Sequence, residues 1–218
     1  MKLITILISS FLCSISLGYA QEVPVPQHYA IMVSVLGDLD NDDNQELVVA
    51  YNTKEQTEIH ENIPRELIIY KNIDQQWKLW KKSTQALYGS LEGGPMGDPF
   101  EDIHIKDGVL HISQSGGSSW KWAHTDKYRY QDDEFYLIGY RSLSGKICEY
   151  WKEVDYNLSI GKIIVKKEYE NCENQEQEIY KRENETFYYK KKIRIILQNR
   201  EDQHMQITTP KYKHKIHL

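Results

Sequence analysis

The sequence predicts an all-β protein, an antiparallel meander of hairpins, and three observations carry that expectation. Composition is the first: sixteen Tyr and five Trp accompany many Ile and Val, residue types that fit a pleated, half-buried surface. Alternation is the second. Tyr128 and Tyr130 interleave with Lys127 and Arg129, giving one aromatic and one charged face, the period of a half-buried antiparallel strand. The third is punctuation. Asp107-Gly108, Gln131-Asp132-Asp133 and Ser159-Ile160-Gly161 separate strand-like runs, while no segment shows the apolar stripe of an amphipathic helix.

Taken in order, Ala30 to Leu36 reads as a strand entering an acidic loop, and Glu46 to Tyr51 as the strand leaving it. Glu66 to Lys71 and Trp77 to Lys81 form a hairpin around Asn72-Ile73-Asp74-Gln75. Leu87 to Pro99 is too rich in Gly and Pro for regular structure. Ile103 to Ile105 turns at Asp107-Gly108 into Val109 to Ser113, a pair suited to positive backbone dihedrals. Trp120 to Tyr130 then pairs with Glu134 to Tyr140, and Ile147 to Leu158 with Lys162 to Tyr169. Phe187 to Leu197 and His204 to Ile207 read as the closing strands. The arrangement is expected to be partly propeller-like or sandwich-like.

Residues 1–20 read as a cleaved secretory signal: Met1-Lys2 is a basic start, Leu3 to Leu17 an apolar core, and Gly18-Tyr19-Ala20 a small-residue cleavage site after Ala20. Cys13 follows Ser10-Phe11-Leu12, which lacks the small residue that lipoprotein processing needs. No second run is long enough to span a bilayer, so 21–218 is expected to be a single all-β domain, secreted or periplasmic. Without the leader, 26 basic residues face 32 acidic ones, a balance that speaks against sequence-independent nucleic-acid binding. The basic residues Lys190, Lys191, Lys192, Arg194, Lys211, Lys213 and Lys215 read as a solvated face. Cys148 and Cys172 are the even pair left in an exported chain and predict a disulfide, one that contributes roughly 3–4 kcal/mol in the chain-entropy model.

The stretch GDLDNDDNQELVVAY, Gly37 to Tyr51, crowds carboxylates against the start of a buried strand. Counted from Asp38, acidic side chains fall at positions one, three, five and nine: Asp38, Asp40, Asp42 and Glu46. Asn44 stands at position seven, where a backbone carbonyl would face inward. Alternating residues of a tight loop can converge on a hard cation, and the repulsion between the carboxylates would couple that cation to local folding. Position twelve is Val49, which excludes an EF-hand. The loop resembles the calcium loop of FG-GAP repeats, roughly D-x-D-x-D-G-x-x-D followed by an apolar strand. Here Asp43 stands in place of the Gly and Glu46 in place of the last Asp. The resemblance covers about fifteen residues in one copy. It implies a structural Ca²⁺ held by Asp38, Asp40, Asp42 and Glu46, with Asn44 contributing through its backbone. A propeller repeats such loops from blade to blade, and a complete integrin-like propeller is excluded by length.

Ser115-Gly116-Gly117-Ser118-Ser119 precedes Trp120-Lys121-Trp122, two indoles that share a strand face. The loop lacks the ending and helix of a phosphate-binding loop, and GxSxG is absent. Together with Glu92 to Pro99 it is expected to form one rim of the sheet. Met96, Asp98, Trp120, Trp122 and Tyr140 are the candidates for a ligand surface, since aromatic anchors recur in recognition sites. No histidine sits in a tight metal-ligand spacing; His104 and His111 read as cross-strand neighbours. Glu101 and Asp102 are adjacent and so fall on opposite strand faces, the wrong placement for paired acid–base chemistry. The functional expectation is a calcium-stabilised binding module for a protein or glycan. A secreted hydrolase on the same scaffold, or an inhibitor or immunity-type protein, is the alternative.

Overall fold

The computed structural model describes residues 21–55, 58, 60–173, 176–201 and 205–218, with only the backbone at 173, 176 and 177. The expected leader, Cys13 and His204 lie outside the described residues. The strands are β1 (Ala30–Gly37), β2 (Glu46–Asn52), β3 (Arg65–Ile73), β4 (Gln76–Ser83), β5 (Phe100–Lys106), β6 (Val109–Gly117) and β7 (Lys121–Gln131). They continue with β8 (Glu134–Lys146), β9 (Tyr150–Asn157), β10 (Lys162–Glu173), β11 (Glu176–Tyr188), β12 (Gln206–Thr208) and β13 (Lys215–His217). Among the described residues the only helical pieces are 3₁₀ turns at Gly94–Met96 and Leu197–Asn199. Among the described residues no helix is long and apolar enough to cross a membrane.

The strands form three antiparallel sheets, each pairing neighbours in sequence: β1 to β4, β5 to β11, and β12 with β13. Turn chemistry sets the hairpin registers. Asp74-Gln75, Asp107-Gly108 and Asp132-Asp133 each place two consecutive residues at positive φ, the conformation whose twist matches the flanking strands. Classic pairing is interrupted at Lys127/Tyr128, where the register between β7 and β8 shifts and Ile138 is left out of the ladder.

The four-stranded sheet packs face to face on one end of the large sheet. Val48, Ala50, Leu67 and Ile69 share a buried cluster with Ile103, Leu110, Ile112, Tyr128, Phe135 and Leu137. The sandwich-like expectation thus describes this end of the molecule. The outer face of the small sheet, Leu47, Val49, Tyr51, Ile68 and Tyr70, is covered by Val23 and Tyr29 of the N-terminal segment, and the Tyr51 hydroxyl donates to the carbonyl of Pro24. The other end of the large sheet is covered by the β12–β13 hairpin. There Ile207 and Ile216 pack on Tyr140, Val154, Tyr156, Ile163 and Val165.

Two elements differ from the sequence reading. The expected strand Phe187 to Leu197 is the tail of β11 followed by an irregular segment. Lys190, Lys191 and Lys192 stand in solvent, and then Ile195 and Leu197 enter the core between the sheets. Their alternation reflects this insertion, which Leu137 N–H to Ile195 O (2.9 Å) and Ser83 Oγ to Leu197 O (2.6 Å) fasten to both sheets. The closing run at Ile207 is part of a two-stranded hairpin whose second strand, β13, is only three residues long. Cys148 and Cys172 form the expected disulfide, joining the turn before β9 to β10 with the Cα atoms 5.2 Å apart.

Candidate functional site

Asp38, Asp40 and Asp42 converge: one carboxylate oxygen from each lies within 4.8 Å of the others. The backbone achieves this with Asn41 and Asp43 at positive φ, so Asp43 makes the turn that a Gly makes in the resembled pattern. Asp38 organises the loop by accepting Asn41 N–H at 2.7 Å and Asp43 N–H at 3.1 Å, and Asp42 accepts Asn44 N–H at 2.9 Å. This last bond, ahead of other influences, holds the Asp42 carboxyl below the usual range. Asn44 also directs its side-chain amide at the Asp42 carbonyl (3.4 Å).

Two side chains account for the charge. Lys71 from β3 places its ammonium on Asp40 and 3.8 Å from Asp42, with the Trp80 ring 4.4 Å away. Glu46 is apart from the converging trio: it is 1% exposed and accepts Leu39 N–H at 2.8 Å. Burial, opposed by that bond and reinforced by Asp40, pushes its carboxyl up to about 7. The trio fits a hard cation in donor type, and Asp40 Oδ1 is buried without a hydrogen-bond partner. A cation at this place would have to share Asp40 with the Lys71 ammonium.

The two Gly-containing loops do meet at one rim. Gly117 N–H donates to Gly93 O at 2.8 Å and Ser115 N–H to Pro99 O at 2.8 Å. A Cβ on Gly116 would fall 2.6 Å from both Gly93 O and the Trp122 ring, so only glycine lets this loop and the indole approach. Met96 is 51% exposed, and Asp98 is paired with Arg65 while accepting Phe100 N–H at 2.9 Å. Trp120 leans on Tyr150 (ring centroids 5.2 Å), two residues along β9 from Lys152 and so on the same face. These three stay outside the cavity that the other two candidates share.

Trp122 and Tyr140 line a cavity of about 310 Å³ on the inner face of the large sheet. Its other walls are Tyr88, from the connection after β4, with Arg200 and the C-terminal residues Ile216, His217 and Leu218. Tyr88 stands edge-on to Trp122 and to His124, each at 5.7 Å, and Trp122 stacks on His124 at 5.7 Å and 17°. An adjoining cavity of about 280 Å³ shares Tyr88, His124 and Arg200 and adds Gln114 and Asp126. Arg200 grips Asp126 with two hydrogen bonds, Nε to Oδ2 at 2.6 Å and Nη2 to Oδ1 at 3.3 Å, and lies 5.7 Å from the Tyr140 ring. The Tyr128 hydroxyl also donates to Asp126 Oδ2, at 3.2 Å. Burial lowers the His124 pKa, which keeps the imidazole neutral near pH 7, and pushes the Tyr140 phenol up to about 12.

His124, Asp126 and Arg200 were not among the sequence candidates. A signal for the first two exists: Trp122, His124, Asp126, Tyr128 and Tyr130 alternate along β7, so ionisable groups interrupt an otherwise aromatic face. Arg200 lies 74 residues from its partner and carries no local signal. His104 and His111 are cross-strand neighbours with rings stacked at 4.5 Å, and His104 Nδ1 lies 2.6 Å from Asp102. No protein-family model matches the chain, and no curated protein matches it.

The folded state holds the Glu46 proton more tightly than the unfolded chain. This contribution is therefore present below about pH 4.5 and is lost as pH rises through about 7. Glu46→Gln keeps an acceptor for Leu39 N–H and removes the charge. With a chelator present, urea unfolding is expected to show the variant equal to wild type at pH 4 and about 3 kcal/mol more stable at pH 8. An unchanged difference across that range would contradict the assignment.

Proposed function

We propose that this chain is an exported binding module whose ligand sits in the ring-lined cleft between the two covers of the large sheet. The observation that carries the reading is the cleft itself. Tyr88, Trp122, His124 and Tyr140 turn their rings toward a cavity where the core would otherwise continue, and aromatic faces of this kind bury large area at low entropic cost. Asp126, the buried carboxylate of the cleft, is committed to Arg200 and Tyr128, which favours binding over acid–base chemistry. Export is supported by the leader-like residues 1–20 and by the disulfide, which suits an oxidising compartment.

We further propose that the acidic loop is a calcium clip, remote from ligand binding. It abuts the β5–β6 turn through Asn41 beside Gly108, whereas the cleft lies toward the other end of β6, at Gln114. The convergence of Asp38, Asp40 and Asp42 and the unpartnered Asp40 Oδ1 support this reading. The residues that would hold the ion are these three, while Glu46 would act by fixing the loop through Leu39.

A screen of aromatic fragments and saccharides, read by the indole N–H signals, tests the cleft. Hits are expected to move Trp122 and to lose about tenfold or more in affinity in W122A, with W120A unaffected. Hits that move only Trp120 or the Met96 loop would contradict it. For the clip, added calcium is expected to raise the melting temperature, an effect lost in D38N/D40N and enlarged in K71M, whose ammonium no longer competes. No calcium response in either wild type or K71M would reject it.

A further inference from the structure

The two halves of the cleft differ in charge. One is bounded by Glu92, Asp126 and Glu201. The other, around Trp122, Tyr140, Ser142, Ser144 and Lys152, is lined by no Asp or Glu side chain. Arg200 borders both halves, and Asp126 neutralises it through two hydrogen bonds. Lys152 has no such partner. Its Nζ donates to the carbonyl of Lys215 at 2.7 Å, and among the described residues no carboxylate lies within 4.0 Å of it.

The strand register makes this more pointed. Lys152 stands directly opposite Lys167 across the β9–β10 pair, a like-charge arrangement that is unfavourable on a sheet. Lys167 packs on the rings of Tyr150 (3.7 Å) and Tyr169 (4.5 Å), and among the described residues no carboxylate lies within 4.0 Å of its ammonium. The carboxylate opposite Lys167 on β11 is Glu183. It is already engaged by Lys181 at 2.6 Å and the Tyr169 hydroxyl at 2.9 Å. Lys152 is therefore left at the wall of the cavity with a second ammonium opposite it and, among the described residues, no carboxylate within 4.0 Å.

We propose that the Lys152 half of the cleft receives the anionic group of a small ligand, a carboxylate or a phosphate monoester, while its flat body lies against the rings of Trp122 and His124. This rests on the cleft being the binding site and adds the chemical class of what it binds. An anion at Lys152 would relieve the repulsion with Lys167. The hydroxyls of Ser142 and Ser144 border the same cavity and can donate to it. Burial, with Lys167 adding to it, lowers the Lys152 pKa, as expected for an ammonium that lacks its counter-ion.

Three probes of similar size test the inference on the full mature chain: benzoate, phenyl phosphate and neutral benzyl alcohol, titrated by NMR at pH 7. At least one anion is expected to bind about tenfold more tightly than the alcohol, with both classes moving the Trp122 indole signal. Which anion is preferred separates carboxylate from phosphate recognition. Lys152→Met is expected to bring the anion down to the alcohol's affinity and leave the alcohol unchanged; K152Q serves if K152M fails to fold. Equal affinities for all three probes at Trp122, or an anion preference that survives in K152M, would overturn the inference and leave the cleft standing. No movement of Trp122 by any probe would overturn both.

Discussion

The buried pair of Asp126 and Arg200 is the constraint around which the molecule is arranged. Asp126 is 2% and Arg200 9% exposed, so each charge has left water and depends on the other. Such a pair adds little net stability compared with an apolar replacement, because desolvation consumes most of the attraction; losing one partner, however, leaves an uncompensated buried charge. Its consequence here is positional. Arg200 follows the segment that enters between the sheets, and its two hydrogen bonds tie that segment to β7 ahead of the C-terminal hairpin that covers β8–β10. The same guanidinium lies against Tyr140, and Asp126 also holds Tyr128. One interaction thus joins the two halves of the core and leaves the cleft between them.

The acidic loop follows a different logic. The crowding of carboxylates before β2 requires positive charge nearby, and β3 supplies it as Lys71. Packing of that lysine against Trp80 holds the ammonium where it can serve Asp40. The loop therefore has a built-in counter-charge, and any divalent ion must be favourable enough to share or displace it. Glu46 is the residue most sensitive to that balance, since its charge is buried beside Asp40 with Lys71 offsetting only part of the cost.

Much of the fold was legible from the chain. The hairpins at Asp107-Gly108 and Asp132-Asp133 have turn chemistry that leaves few alternatives, and the even cysteine pair has its disulfide. β11 escaped notice because Glu176–Tyr188 is charged on both faces; as the outermost strand of the large sheet, it is held to β10 by backbone pairing along its length, with Phe187 near its end packing on the core. The candidate site was legible in part. Trp122 and Tyr140 could be named from their residue types, but the partners that give the cleft its character could not. Lys71 lies 31 residues from Asp40, Arg200 lies 74 from Asp126, and Lys152 faces Lys167 only through register. Strand periodicity determines which face a residue occupies; it is silent on which distant segment covers that face.

The organising role of the buried pair is open to a double-mutant cycle. Asp126→Asn, Arg200→Met and the combined variant, compared with wild type by urea unfolding, report the coupling between the two side chains. The arrangement described predicts a coupling of at least about 2 kcal/mol, with each single change costing more than the pair together would suggest. Additive effects, with coupling below about 0.5 kcal/mol, would contradict the claim that this interaction positions the C-terminal segment over the large sheet.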